Sequence, residues 1–225
     1  MKTIIPDLLY NFTGLIIGRV YAIKDPDGIT LIDTGISLAG KRILKQLAGA
    51  GYAPNSVKRI LITHAHPDHI GGLPYLVAQT GAEVICSSIE KPVIQGEIPI
   101  PRRPSGLRPP NTKAKPVMVG RTVDDGDVIP DVMGGLQAIH TGGHAPGHIA
   151  FWQPEREILF SGDVIFNLRK KMNLPWKMLT VDMEQNKLSV KKLVTLTPKM
   201  ICFGHGDPVT ENATGLLRDF ANALT

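Results

Sequence analysis

Apolar residues fall along the chain in short blocks whose internal spacing changes from block to block. Leu15 to Ile23 and Gly28 to Ile32 read as two strands, and KDPDG between them is turn chemistry. Ala39 to Ala48 carries apolar positions at helical spacing, with Gly49 and Gly51 placed to stop the helix. VKRILIT, starting at Val57, is almost continuously apolar, the pattern of a strand buried on both faces. Leu73 to Gln79 then reads as a helix and AEVICSS as another buried strand.

The second half repeats this grammar. LQAIHTGG is a strand running into a glycine-rich loop, and HIAFWQPEREILFSGD is a hairpin that ends at an aspartate. Asp182 to Leu196 is an amphipathic helix with Asp182 as its N-cap. KMICFGHGDP is a strand that ends at a histidine, and Gly215 to Leu224 is a closing helix. Strands alternate with helices, so the class is α/β, with two similar β-rich halves packed face to face. Lys91 to Pro116 breaks the pattern. It is rich in proline and basic residues, so neither helix nor central strand is expected there. A segment of this kind serves as part of a substrate wall, as a contact with another chain, or as a loop with no role.

Composition narrows the class without naming a chemistry. The 225 residues suit a single domain spanning 1–225, with 43% apolar and 20% charged residues typical of a globular chain. No apolar run reaches the length needed to span a bilayer, and no cleavage pattern follows the N-terminal apolar residues. A cytoplasmic protein is therefore expected. Cys86 and Cys202 each sit in a β-like apolar run and read as buried free thiols. The net charge of +5 gathers in Arg102 to Arg121 and Arg169 to Lys177, which suits either an anionic partner or solvated surface.

The chemistry lies in the polar residues at strand ends. THAHPDH, Thr63 to His69, holds three of the seven histidines of the chain. His64 and His66 are two apart, so an extended backbone points both to one side, whereas Asp68 and His69 are adjacent and diverge. One short loop can thus supply two ligands to one metal ion and two to another. His144 can complete the first site and His205 the second, and the carboxylate of Asp163 can bridge them. Each follows a predicted strand, where α/β proteins gather their ligand sites. Asp33, in DTG, reads as a carboxylate that holds a ligand imidazole in place, or as an ordinary turn former. His140 reads as a core or supporting residue. His148 reads as a packing residue or as a brace for its loop.

These motifs resemble those of the metallo-β-lactamase-fold hydrolases. HAHPDH matches the family signature His-x-His-x-Asp-His, His144, Asp163 and His205 follow in the family's order, and LIDTG matches the motif around its first aspartate. The resemblance implies a four-layer αβ/βα sandwich with a binuclear metal centre on one edge. It implies His64, His66 and His144 on one ion, Asp68, His69 and His205 on the other, and Asp163 between them. Two zinc ions are expected, with iron or manganese as alternatives. The presence of both Asp68 and Asp163 is similar to the glyoxalase II, lactonase and nuclease branches rather than to true zinc β-lactamases. Phe166 stands where acyl-homoserine lactonases often carry a tyrosine, and GDVIFNLRKKM departs from the motif of glyoxalase II and persulfide dioxygenases.

The expected activity is hydrolysis of a small ester, lactone or thioester by a hydroxide bridging the two ions, with Asp68 as the catalytic carboxylate that orients it. The partner is then a small-molecule substrate, with no membrane and no nucleic acid, and a homo-oligomer is compatible with the sequence. The basic stretches keep a phosphodiesterase or nuclease open, and the ligand types keep an iron-dependent persulfide dioxygenase-like enzyme open. A complete ligand set speaks against a non-catalytic binding protein.

Overall fold

The computed structural model describes residues 1–6, 9–12, 18–101 and 114–224. The first half forms a seven-stranded sheet whose spatial order follows the chain. Its strands are β1 (Lys2–Ile5), β2 (Leu9–Asn11), β3 (Tyr21–Asp25), β4 (Gly28–Ile32), β5 (Val57–Leu61), β6 (Glu83–Cys86) and β7 (Arg121–Thr122). β1 to β4 run antiparallel, and β4 to β7 run parallel. The parallel run needs crossovers, supplied by helices α1 (Ala39–Gly49), α2 (Pro67–Ile70), α3 (Leu73–Thr80) and α4 (Lys91–Ile94).

The second half contributes β8 (Val128–Ile129), β9 (Leu136–His140), β10 (Ile149–Gln153) and β11 (Ile158–Gly162), then a small separate hairpin, β12 (Phe166–Leu168) and β13 (Lys171–Asn173). After α5 (Met183–Val194), β14 (Met200–Phe203) joins the edge of this sheet parallel to β11, and α6 (Ala213–Asn222) follows. Asp182 caps α5 as its sequence predicts, its Oδ1 accepting the Gln185 amide at 2.9 Å.

Strand alternation builds the layers. Tyr21, Ile23, Ile32, Leu61 and Ile85 point from the first sheet into a core shared with Leu136, Ile149, Phe151, Phe160 and Cys202 of the second. Their strand neighbours point the other way. Leu31, Ile60 and Val84 pack under α1 and α3 with Ile43, Leu47 and Leu76. Ala150, Trp152, Leu159 and Phe203 pack under α5 and α6 with Val190, Leu193 and Leu217. Three cores between four layers give the helix–sheet–sheet–helix sandwich. Both cysteines are buried and unbridged. No helix among the described residues is long and apolar enough to cross a membrane.

Two expectations need correction. The strand expected over Leu15–Ile23 is β3, which begins only at Tyr21 and continues to Asp25; residues 13–17 lie outside the described residues. The segment 91–116, expected to lack regular structure, opens with α4, which buries Val93 and Ile94. Pro92 sits in the first turn of that helix, where its missing N–H would have no intrahelical partner in any case. The basic cluster within this segment, residues 102–113, lies outside the described residues.

Candidate metal centre

Five of the loops that follow strands converge on one edge of the sandwich. β4 ends at Asp33, β5 leads to His64, β9 to the loop carrying His144, β11 to Asp163 and β14 to His205. All seven expected ligands meet there. The ligand atoms of His64, His66 and His144 form one group, those of Asp68, His69 and His205 a second, and those of His64, His69 and Asp163 a third. Within each group the atoms lie within 4.8 Å of one another. Asp163 sits in the middle. Its Oδ2 is 3.2 Å from His205 Nε2 and 3.4 Å from His144 Nε2, and its Oδ1 is 3.4 Å from His69 Nε2. Glycines make this approach possible. A side chain at Gly204 would collide with Asp163 Oδ1, and one at Gly162, where φ is +52°, with the His148 ring.

Hydrogen bonds outside the cluster set which ring nitrogen faces inward. Asp33 Oδ2 lies 2.7 Å from His69 Nδ1 and accepts there, which leaves Nε2 turned to the centre. The Thr63 hydroxyl donates to the same Oδ2 at 2.8 Å, which leaves its oxygen to accept from His64 Nδ1 at 3.0 Å. The Thr180 hydroxyl donates to the Trp176 carbonyl at 3.1 Å and so accepts from His144 Nδ1 at 3.2 Å. Three imidazoles thus hold their Nδ1 protons outward and turn their Nε2 atoms inward. Asp33 lies beside the His69 ring, and its left-handed backbone, φ +60°, is strained for a residue other than glycine.

Sequence reasoning missed one support, Glu90, and left His148 open between packing and bracing. Glu90, 2% exposed, accepts the Ala65 amide at 2.9 Å and the Gly147 amide at 2.8 Å. It ties the His64–His66 turn to the His144–His148 loop. His148 is fully buried, and its Nε2 accepts the Asp163 amide at 3.0 Å while Nδ1 faces the Thr141 hydroxyl at 2.8 Å. It braces the loop that carries Asp163. Glu90 follows the exposed Ser88 and Ile89, so no local pattern in the sequence marks it. His140 lies outside the cluster, with Nε2 3.0 Å from the Pro146 carbonyl.

The electrostatics favour cations. Burial works against charge on Asp163, yet His69 and His205 hold its carboxyl well below the usual range. Burial likewise opposes charge on His205, but hydrogen bonds to Asp163 and Asp68 win and push its pKa up to about 9. Burial keeps His64 and His144 neutral, and holds His148 down at about 3. His69 Nε2, His144 Nε2 and Asp163 Oδ1 are buried without a hydrogen-bond partner. Buried polar atoms left unpaired are costly, and a cation among them would satisfy all three. Imidazoles with carboxylates form a donor set suited to zinc, iron or manganese.

Beside the cluster lies a cavity of about 540 Å³, walled by Ile36, Pro67, Phe166, Leu168, Trp176 and Leu179. The Phe166 ring lies over His205, with centroids 4.5 Å apart.

Comparison with known proteins agrees with this geometry. A probable metallo-hydrolase of Bacillus subtilis, YybB, is 28% identical over 194 residues, covering 86% of this chain and 83% of the relative. A hydroxyacylglutathione hydrolase of Erythrobacter litoralis is 36% identical over 163 residues, 71% of this chain but only 53% of the relative. Among solved structures, a metallo-beta-lactamase family protein of Thermus thermophilus superposes with a TM-score of 0.71 at 22% identity, covering 98% of this chain and 80% of that one. A subclass B3 metallo-beta-lactamase of Bradyrhizobium japonicum gives 0.69 at 25% identity, covering 92% and 84%. Residues 13–205 match the family model of the metallo-beta-lactamase superfamily, and the chain belongs to that superfamily.

Proposed function

We propose that the protein is a binuclear metallo-hydrolase that cleaves a carboxylic ester, lactone or thioester. His64, His66 and His144 would hold one divalent cation, Asp68, His69 and His205 the other, and Asp163 would be shared between them. The observation that carries the reading is the inward convergence of these donors around Asp163, with three Nδ1 protons tied off outside. Zinc is the favoured occupant, with iron or manganese as alternatives. Two such cations supply an activated water at neutral pH and polarise a carbonyl oxygen.

The protein's own residues do the rest. Asp68 borders the cavity, and its side chain is 26% exposed, against 3% for Asp163. It is the carboxylate that a substrate can reach, so it orients the attacking water and passes a proton to the leaving group. Phe166 and Leu179 exclude bulk water from the same space. Relatives named hydroxyacylglutathione hydrolases support a thioester among the candidate bonds.

The test is metal analysis followed by a hydrolysis screen of carboxylic esters, lactones, thioesters and phosphate diesters. His66→Ala should lose metal and turnover together. Full metal content with full turnover in that variant would contradict the reading.

A further inference from the structure

We propose that this site takes neutral substrates with an apolar acyl or aryl group and discriminates against the charged glutathione conjugates named by several of its relatives. The inference rests on the hydrolase reading above and assigns its substrate class.

The cavity wall carries the argument. Phe166, Leu168, Trp176, Leu179, Ile36 and Pro67 form its apolar lining. The remaining lining residues are His66, Asp68, His144, Asp163 and His205, all members of the cluster. No lysine or arginine lines the cavity among the described residues. Among the described residues lining the cavity, a conjugate with two free carboxylates would meet no lysine or arginine, and desolvating its charges against apolar side chains is unfavourable.

The β12–β13 hairpin shows how a basic stretch of sequence yields an apolar wall. FNLRKKMN carries Arg169, Lys170 and Lys171 close to the metal cluster in sequence. Strand alternation turns Phe166 and Leu168 to the metal side. Asn167, Lys170 and Lys171 line a separate cavity of about 300 Å³ on the other face, toward Val209 and Phe220. Lys170 and Lys171 thus line a cavity separate from the one beside the cluster.

Trp176 supplies the mouth of the pocket. Its indole is 56% exposed and stands edge-on to Phe166, with centroids 5.8 Å apart at 85°. An exposed indole next to an apolar cavity is a surface for a ligand to cover. The other tryptophan, Trp152, is buried among the residues under α5 and α6, away from the cavity.

The experiment measures kcat/KM of the metal-loaded protein on 4-nitrophenyl acetate, butyrate and hexanoate, and on S-lactoylglutathione. The proposal expects a rise of about fourfold per methylene until the cavity fills. It expects the glutathione thioester to fall at least roughly tenfold below the hexanoate ester, since its charges must be desolvated. Trp176→Ala should flatten the chain-length series, and Trp176→Phe should restore it. A flat series, a series insensitive to Trp176→Ala, or S-lactoylglutathione as the best substrate would overturn it. Tryptophan fluorescence provides a readout independent of turnover. 2-Octanone, a neutral ketone with no bond to hydrolyse, should perturb the emission of both metal-free and metal-loaded protein, and not that of Trp176→Ala. Ketone binding without hydrolysis of any acyl substrate would refute the hydrolase reading while upholding the apolar pocket. Hydrolysis without ketone binding would do the reverse.

Discussion

Glu90 accepts the amide proton of Gly147 at 2.8 Å across the edge of the sandwich. Its second oxygen takes the Ala65 amide, so one buried carboxylate fixes the spacing of two loops that carry histidines. Glu90→Gln keeps the shape but sets an NH2 group against one of those amides. Leaving a buried donor unmatched costs about 1–3 kcal/mol. Chemical denaturation should register that loss, and the affinity for the first cation should drop. Wild-type stability and metal affinity in Glu90→Gln would show the brace to be dispensable.

Thr180 orients His144 by accepting its Nδ1 proton at 3.2 Å. Thr180→Val preserves volume and removes the acceptor. Partners of ligand imidazoles typically change metal affinity by about 10–100-fold. Competition with a chromophoric chelator should show a loss in that range, and Thr180→Ser should recover most of it. Equal affinity in the valine and wild-type proteins would rule out the orienting role.

Asp163→Asn replaces the carboxylate at the centre of the cluster by an amide. Asparagine brings an N–H donor toward either His69 or His144, whose Nε2 atoms are buried without a hydrogen-bond partner. The variant should bind fewer cations per chain than the wild type, as read by elemental analysis after gel filtration. An unchanged two-ion content would exclude a bridging carboxylate.

Metal removal should lower thermal stability. A ligand that binds only the folded state stabilises it by about 2.7 kcal/mol when present at 100 times its Kd. Chelator-treated protein should therefore melt at a lower temperature, and added zinc should restore the Tm in a concentration-dependent way. An identical melting curve with and without metal would contradict coupling between the cluster and the fold.

Much of this was legible in the sequence because the key signals are local. The i, i+2 spacing of His64 and His66, the strand-terminal positions of Asp163 and His205, and the N-cap at Asp182 all depend on a few neighbouring residues. Asp33 drew notice because it too ends a strand, and its carboxylate lies 2.7 Å from His69 Nδ1. Glu90 was invisible because its partners lie 25 and 57 residues away, and only the folded sheet brings them together. α4 was missed because proline reads as a breaker, although the first turn of a helix tolerates it. The wall formed by Phe166 and Trp176 was hidden among the lysines around it, since only alternation along β12 and β13 separates the two faces.

The most direct test of the central claim is anomalous diffraction from crystals of the zinc-loaded protein at the zinc edge. Two peaks per chain are predicted, about 3.5–4 Å apart. One should lie among His64, His66 and His144, the other among Asp68, His69 and His205, with Asp163 between them. A fully loaded crystal with a single peak, or with peaks elsewhere, would contradict the account.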